Sequence, residues 1–111
     1  MAERRMARRY ELSLPVVIRT VAEPETEPSS GRTRDISTRG VYFTVHRELA
    51  PGMELDFTLT LPAEITRGPE VYIRAHGRVV RVERRQNGEM PIGIAAVIEK
   101  YDIIRAEAGL A

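Results

Sequence analysis

Glu54-Leu55-Asp56-Phe57-Thr58-Leu59-Thr60-Leu61 alternates polar and apolar side chains without a break. A period of two puts the leucines and Phe57 on one face of a strand and the polar set on the other, so the stretch reads as a half-buried β-strand. Pro51-Gly52 punctuates the chain before it, and Pro62 to Pro69 makes the connection after it. Upstream, Val41, Phe43 and Val45 alternate with Tyr42 and Thr44 as another strand, reached from a short strand over Arg32 to Ile36 through the turn Asp35-Ile36-Ser37-Thr38-Arg39-Gly40. Further back lies the Pro/Glu/Ser/Gly loop Glu23 to Gly31, preceded by the β-branched run Leu12-Ser13-Leu14-Pro15-Val16-Val17-Ile18, a first strand.

Downstream, a long strand is expected from about Val71 to Arg84. Ile73, Ala75 and Val79 oppose Arg74, His76 and Arg78, but the alternation slips at Val79-Val80-Arg81-Val82. A β-bulge there would return Val80 and Val82 to the core. Asn87-Gly88 signals a turn, and Pro91 to Ile98 forms a last strand with Ile92, Ile94, Ala96 and Ile98 on one face. Tyr101 to Ala108 is expected to make one or two turns of helix. Short strands with regularly spaced turns predict an all-β fold, a six-stranded antiparallel barrel with a short C-terminal helix.

At 111 residues the chain has the length of one domain. Residues 1–11 are expected to be a flexible arginine-rich arm, and 12–111 a single barrel domain with a C-terminal tail. With 42% hydrophobic and 30% charged residues, the composition is that of an ordinary globular protein. No apolar run approaches the roughly 20 residues that cross a bilayer, and the amino terminus lacks the apolar centre of a secretory signal, so a cytoplasmic location without membrane insertion is expected. The absence of cysteine excludes disulfides and thiolate metal sites. A formal net charge of +1 argues against a protein that coats nucleic acid. Basic charge is instead local: arginines dominate the first 20 residues, and Glu23, Glu25 and Glu27 follow. A local basic cluster suits a small anion.

The turn at Asp35 to Gly40 and the arm Arg4-Arg5-Met6-Ala7-Arg8-Arg9 carry the chemistry that suits an anionic guanine nucleotide. A carboxylate accepts from the N1–H and 2-amino edge of guanine, a hydroxyl bonds a phosphate or sugar oxygen, and glycine lets a ligand approach the backbone. Arginine forks match phosphate oxygens and the O6/N7 edge of guanine, and their flat faces stack on bases.

The order of arginine arm, Leu14-Pro15-Val16, Asp-x-Ser-x-x-Gly and Ile92-Gly93-Ile94 resembles the PilZ domain family along nearly the whole chain. That resemblance implies a PilZ-type six-stranded barrel that binds cyclic di-GMP, with Arg-x-x-x-Arg on the arm and Asp35, Ser37 and Gly40 on the barrel. Spacing from Leu14-Pro15-Val16 puts the arm motif on Arg5 and Arg9, with Arg4 preceding it; the Arg4/Arg8 pair fits the same pattern. About two Arg-x-x-x-Arg pairs arise by chance in a chain this rich in arginine, whereas the second motif arises in only about one such chain in a hundred, so the turn carries the resemblance. Arg39 stands where many relatives have glycine, and either adds a phosphate contact or crowds the ligand. Arg81 is a further candidate, at a point of the long strand where relatives often place a base-stacking aromatic or arginine.

The implied mechanism is a receptor or adaptor whose arm folds over the dinucleotide and so changes the surface offered to an unidentified downstream protein. The alternative is a PilZ-like protein-interaction module that does not bind nucleotide; a nucleic-acid-binding barrel is a third and unfavoured reading. Asp35 and Ser37 also have a purely local use, capping their own backbone amides with Gly40 supplying positive φ. The histidines, His46 and His76, read as surface or strand residues rather than metal ligands, and the tyrosines as packing residues. No catalytic triad, P-loop or carboxylate pair can be assembled, so neither an enzyme nor a cofactor is expected.

Overall fold

The computed structural model describes residues 9–23, 25 and 27–105. Its strands are β1 (Pro15–Thr20), β2 (Ser29–Ile36), β3 (Gly40–Val45), β4 (Glu54–Leu61), β5 (Val71–Glu83) and β6 (Ile92–Arg105), with the one-turn helix α1 (Ala63–Thr66) between β4 and β5. They close into a barrel in the order β1-β2-β3-β6-β5-β4, each neighbouring pair antiparallel. Closure gives each strand two partners.

The period-two pattern fills the interior. Val16 and Ile18 of β1, Val41, Phe43 and Val45 of β3, Leu55, Phe57 and Leu59 of β4, and Ile92, Ile94 and Ala96 of β6 form one cluster with Ala75 and Val79 of β5. At its centre the Phe43 and Phe57 rings lie 6.3 Å apart. Burying each large apolar side chain contributes about 1.5–3 kcal/mol.

The first strand starts at Pro15, later than expected. Residues 12–14 are held to β2 by the buried Thr33, whose Oγ1 accepts from the Leu14 N–H at 2.8 Å and donates to the Leu12 carbonyl at 2.5 Å. Arg32 adds bonds from Nε and Nη2 to Ser13, both 3.0 Å. This stitching fixes where the arm joins the barrel.

Register shifts shape the long strands. Val79 opposes Ala96 and Arg81 opposes Ala95, so the expected bulge falls at Val80. The extra residue steps out of the ladder, which leaves Val80 52% exposed and returns only Val82 to the core, correcting the expectation for Val80. Gly77 opposes Ile98 while His76 opposes Lys100, so Glu99 is likewise supernumerary on β6. Past Glu99 the strand continues through residues 101–105 against residues 71–75, where a helix was expected. The β-branched pair Ile103-Ile104 and an available partner strand decide for extended backbone. The expected helix residues 106–108 lie outside the described residues.

Candidate functional site

Two bulges assemble one row of side chains on the barrel. On β2 the register shifts between Thr33 and Asp35, which makes Arg34 the extra residue and sets Asp35 opposite Tyr42 of β3. Tyr42 in turn opposes Ala95 of β6, and Ala95 opposes Arg81 of β5. Asp35, Tyr42, Ala95 and Arg81 thus lie side by side across four strands. Without the bulge at Val80, the alternation of β5 would turn Arg81 to the other face.

The arm enters this row from the side of Asp35. Tyr10 forms an isolated antiparallel bridge with Ile36, the Tyr10 N–H donating to the Ile36 carbonyl at 2.8 Å and the Ile36 N–H to the Tyr10 carbonyl at 2.9 Å. That bridge brings Arg9 Nη2 within 3.4 Å of Asp35 Oδ1. The Asp35 side chain is 22% exposed and Arg9 64%, so the carboxylate is fixed by the barrel and the guanidinium reaches in from solvent.

Ser37 organises the turn. Its Oγ accepts from the backbone N–H of Arg39 at 3.1 Å and of Gly40 at 3.2 Å, while the Ser37 N–H donates to the Gly40 carbonyl at 2.9 Å. This is the local Ser turn the sequence allowed. The positive φ of that local reading is not found at Gly40: among the described glycines it occurs at Gly52 and Gly88. What Gly40 needs is room, because a Cβ there would lie 3.0 Å from the Ala96 carbonyl oxygen of the neighbouring strand.

Arg9, Asp35, Ser37, Arg39, Gly40, Tyr42 and Arg81 line one open groove of about 320 Å³, with Ala95 and Ala96 as its small-residue wall. The structure therefore gathers six of the candidate residues, Arg9, Asp35, Ser37, Arg39, Gly40 and Arg81, in one place. Arg4, Arg5 and Arg8 lie outside the described residues. Asp35 also lines a neighbouring groove of about 370 Å³ formed with Glu11, Ser13, Thr33 and Arg34.

Three residues that sequence reasoning passed over complete the site. Tyr42, expected to be a packing residue, has the Arg34 guanidinium 4.9 Å from its ring centroid, a cation–π contact. Its hydroxyl donates to Glu83 Oε1 at 2.7 Å, and Arg81 Nε donates to Glu83 Oε2 at 3.1 Å. Partial burial pushes the Tyr42 phenol up from its ordinary pKa, and the bond to Glu83 adds to this, against the opposing pull of Arg34 and Arg81. The same bond holds the Glu83 carboxyl below the usual carboxylate range, with Arg81 and Arg34 helping. Tyr42 was legible as outward-facing from its alternation with Val41 and Phe43, whereas Glu83 meets it only through a contact 41 residues apart in sequence.

A larger groove of about 610 Å³ opens on another part of the barrel. There Arg19 opposes Asp56, Asp56 opposes His76, and His76 opposes Lys100 across the strands. His76 Nδ1 lies 2.9 Å from Asp56, and Arg78 bridges Glu54 and Glu99 at 3.1 and 3.4 Å. An anion entering this groove meets the carboxylates of Asp56 and Asp102 among its cations. Among the described residues no cluster of His, Cys, Asp or Glu could hold a metal ion, and no helix is long and apolar enough to cross a membrane.

A small closed antiparallel barrel, with an arginine-lined groove beside an Asp-x-Ser-x-x-Gly turn, defines the class of the protein. A family model for the PilZ domain matches residues 3–105, and the chain belongs to that family. Among solved structures, the chain resembles the Bacillus subtilis inhibitor of motility MotI/DgrA, at 20% identity and a TM-score of 0.72 over 91% of this chain. It spans only 45% of that protein. It also resembles the PilZ domain of YcgR from Escherichia coli, a structure with c-di-GMP, at 12% identity and a TM-score of 0.63, covering 87% of this chain and 79% of the other. The PilZ domain of CeSA from a cellulose-synthesizing bacterium aligns at 18% identity and a TM-score of 0.52, covering 84% of this chain and 81% of the other. At these identities the likeness is one of fold. No curated protein matches the chain.

Proposed function

We propose that this chain is a cyclic di-GMP receptor of the adaptor type, working in the cytoplasm without catalysis. The observation that carries this reading is the row Asp35, Tyr42, Ala95 and Arg81, with Arg9 delivered to Asp35 by the Tyr10 bridge. In this reading Asp35 accepts from the N1–H and 2-amino edge of a guanine, and Arg9, with Arg4, Arg5 or Arg8 of the arm, closes on phosphate and base from the other side. Ser37 acts through the turn it holds, keeping the Arg39 and Gly40 amides in place. Arg39 adds a guanidinium at the rim. Ordering the arm changes the surface beside β2, and a downstream protein with different affinities for the two arm states converts occupancy into signal.

Charge-assisted hydrogen bonds contribute about 1.5–3 kcal/mol each, so a few of them outweigh ordering a short arm and leave micromolar affinity, about −8 kcal/mol. Calorimetric titration with cyclic di-GMP tests this on wild type, Arg9→Ala and Asp35→Ala. Heat with wild type, and its loss in both variants, supports the reading; no heat from wild type at roughly tens of micromolar protein overturns it.

One observation favours the second reading, a PilZ-like interaction module that binds no nucleotide: the Ser37 hydroxyl is already engaged by its own turn. That reading predicts a silent wild-type titration from a folded protein.

A further inference from the structure

We infer that Glu83 sets the affinity of the groove by acting as an internal anion, holding Arg81 in the ligand-free protein until a ligand phosphate takes it. This inference rests on the dinucleotide reading above. Glu83 sits at the end of β5, and its two oxygens are divided between two residues that line the groove: Oε1 accepts from Tyr42 at 2.7 Å and Oε2 from Arg81 Nε at 3.1 Å. The arrangement depends on Gly93, which pairs with both Thr44 and Glu83. A Cβ on Gly93 would fall 1.9 Å from Tyr42 Oη, so the tyrosine reaches Glu83 by lying across a position that has no side chain.

Competition follows from the chemistry of the fork. A guanidinium grips a phosphate best with a pair of parallel N–H groups, and Glu83 already engages Nε of Arg81. The pair is exposed, with side-chain accessibilities of 59% for Arg81 and 52% for Glu83. Ion pairs exposed to this degree are weak in water, so a phosphate can displace the carboxylate. Breaking that pair is the cost that lowers affinity. Tyr42 keeps the carboxylate anchored after Arg81 leaves, and Arg34 over the tyrosine ring holds that anchor in place.

The test is calorimetric titration of cyclic di-GMP into wild type, Glu83→Gln, Arg81→Ala and the double variant. Gln keeps one oxygen acceptor for Tyr42 and removes the charge together with the second acceptor, which Arg81 uses. Glu83→Gln is expected to bind about two- to fivefold more tightly than wild type, Arg81→Ala more weakly, and the gain is expected to vanish in the Arg81→Ala background. Equal or weaker binding by Glu83→Gln, or a gain that survives without Arg81, overturns the inference while leaving the dinucleotide reading intact. Silence from both wild type and Glu83→Gln overturns the dinucleotide reading, and this inference falls with it.

Discussion

Two charged faces of one barrel follow opposite rules. On the face of β1, β4, β5 and the far half of β6, carboxylates are set among the cations: Arg19 faces Asp56, His76 stands between Asp56 and Glu99, and Arg78 bridges Glu54 and Glu99. On the face of β2, β3, the near half of β6 and the end of β5, Arg9, Arg39 and Arg81 gather round Asp35 and Tyr42. Position in the ladder, rather than composition, separates them. On the first face carboxylates sit against cations, in part through the unpaired Glu99 of β6, whereas the bulges at Arg34 and Val80 bring residues into one row that uniform alternation would have sent to different faces.

The contrast can be broken most severely at glycine. At Gly77 a Cβ would lie 2.0 Å from the Val97 carbonyl, which is backbone and cannot step aside. Gly77→Ala is therefore expected to cost about 3 kcal/mol or more, read as a drop in the urea midpoint. At Gly93 the obstacle is the tip of the Tyr42 side chain, which can swing away. Gly93→Ala should cost less, about 1 kcal/mol, and release Tyr42 from Glu83. Equal losses at the two glycines would contradict the assignment of Tyr42 to this position.

Next in size is binding. Asp35→Ala removes a charged acceptor from the groove and should weaken cyclic di-GMP by at least about tenfold, or roughly 1.5–3 kcal/mol. Asp56→Ala removes a carboxylate from the other face and should leave that affinity unchanged. A titration in which Asp56→Ala costs as much as Asp35→Ala would mean that the ligand uses the wrong groove.

The smallest effects are those of pH. Glu83 is held below the usual carboxylate range, chiefly by its bond from Tyr42, so its contribution to stability is present at neutral pH and is lost as the pH falls through that lowered value. Tyr42 is raised, so its contribution is present below the ordinary phenol pKa and is lost as the pH climbs through the raised one. Glu83→Gln should bring the Tyr42 titration, followed by phenolate absorbance, only part of the way back, because burial is the larger cause and persists. An unmoved titration would show that the hydroxyl does not rely on Glu83.

Much of this molecule is legible in the sequence where contacts are local or periodic. The alternation at 54–61 and 41–45 translates directly into β4 and β3, and the slip after Val79 marks a real bulge. Reading failed where one residue shifts the phase for those that follow. Val80 steps out instead of in, and Glu99, unpaired in the ladder, hides the strand character of residues 101–105. Long-range polar contacts were equally hidden: Thr33 captures Leu12 and Leu14 from 19 to 21 residues away, and nothing beside Glu83 points to Tyr42. At the site, the Asp35 to Gly40 motif and Arg81 were visible as residue types, but their common row exists only through the bulges.

The most direct test is a titration of backbone amide resonances with cyclic di-GMP. The account predicts shifts concentrated at Arg9, Tyr10, residues 35–42, Arg81 and Ala95, with His76, Arg74 and Lys100 unmoved. Shifts confined to those last three residues, or a spectrum that does not change in excess ligand, would contradict it.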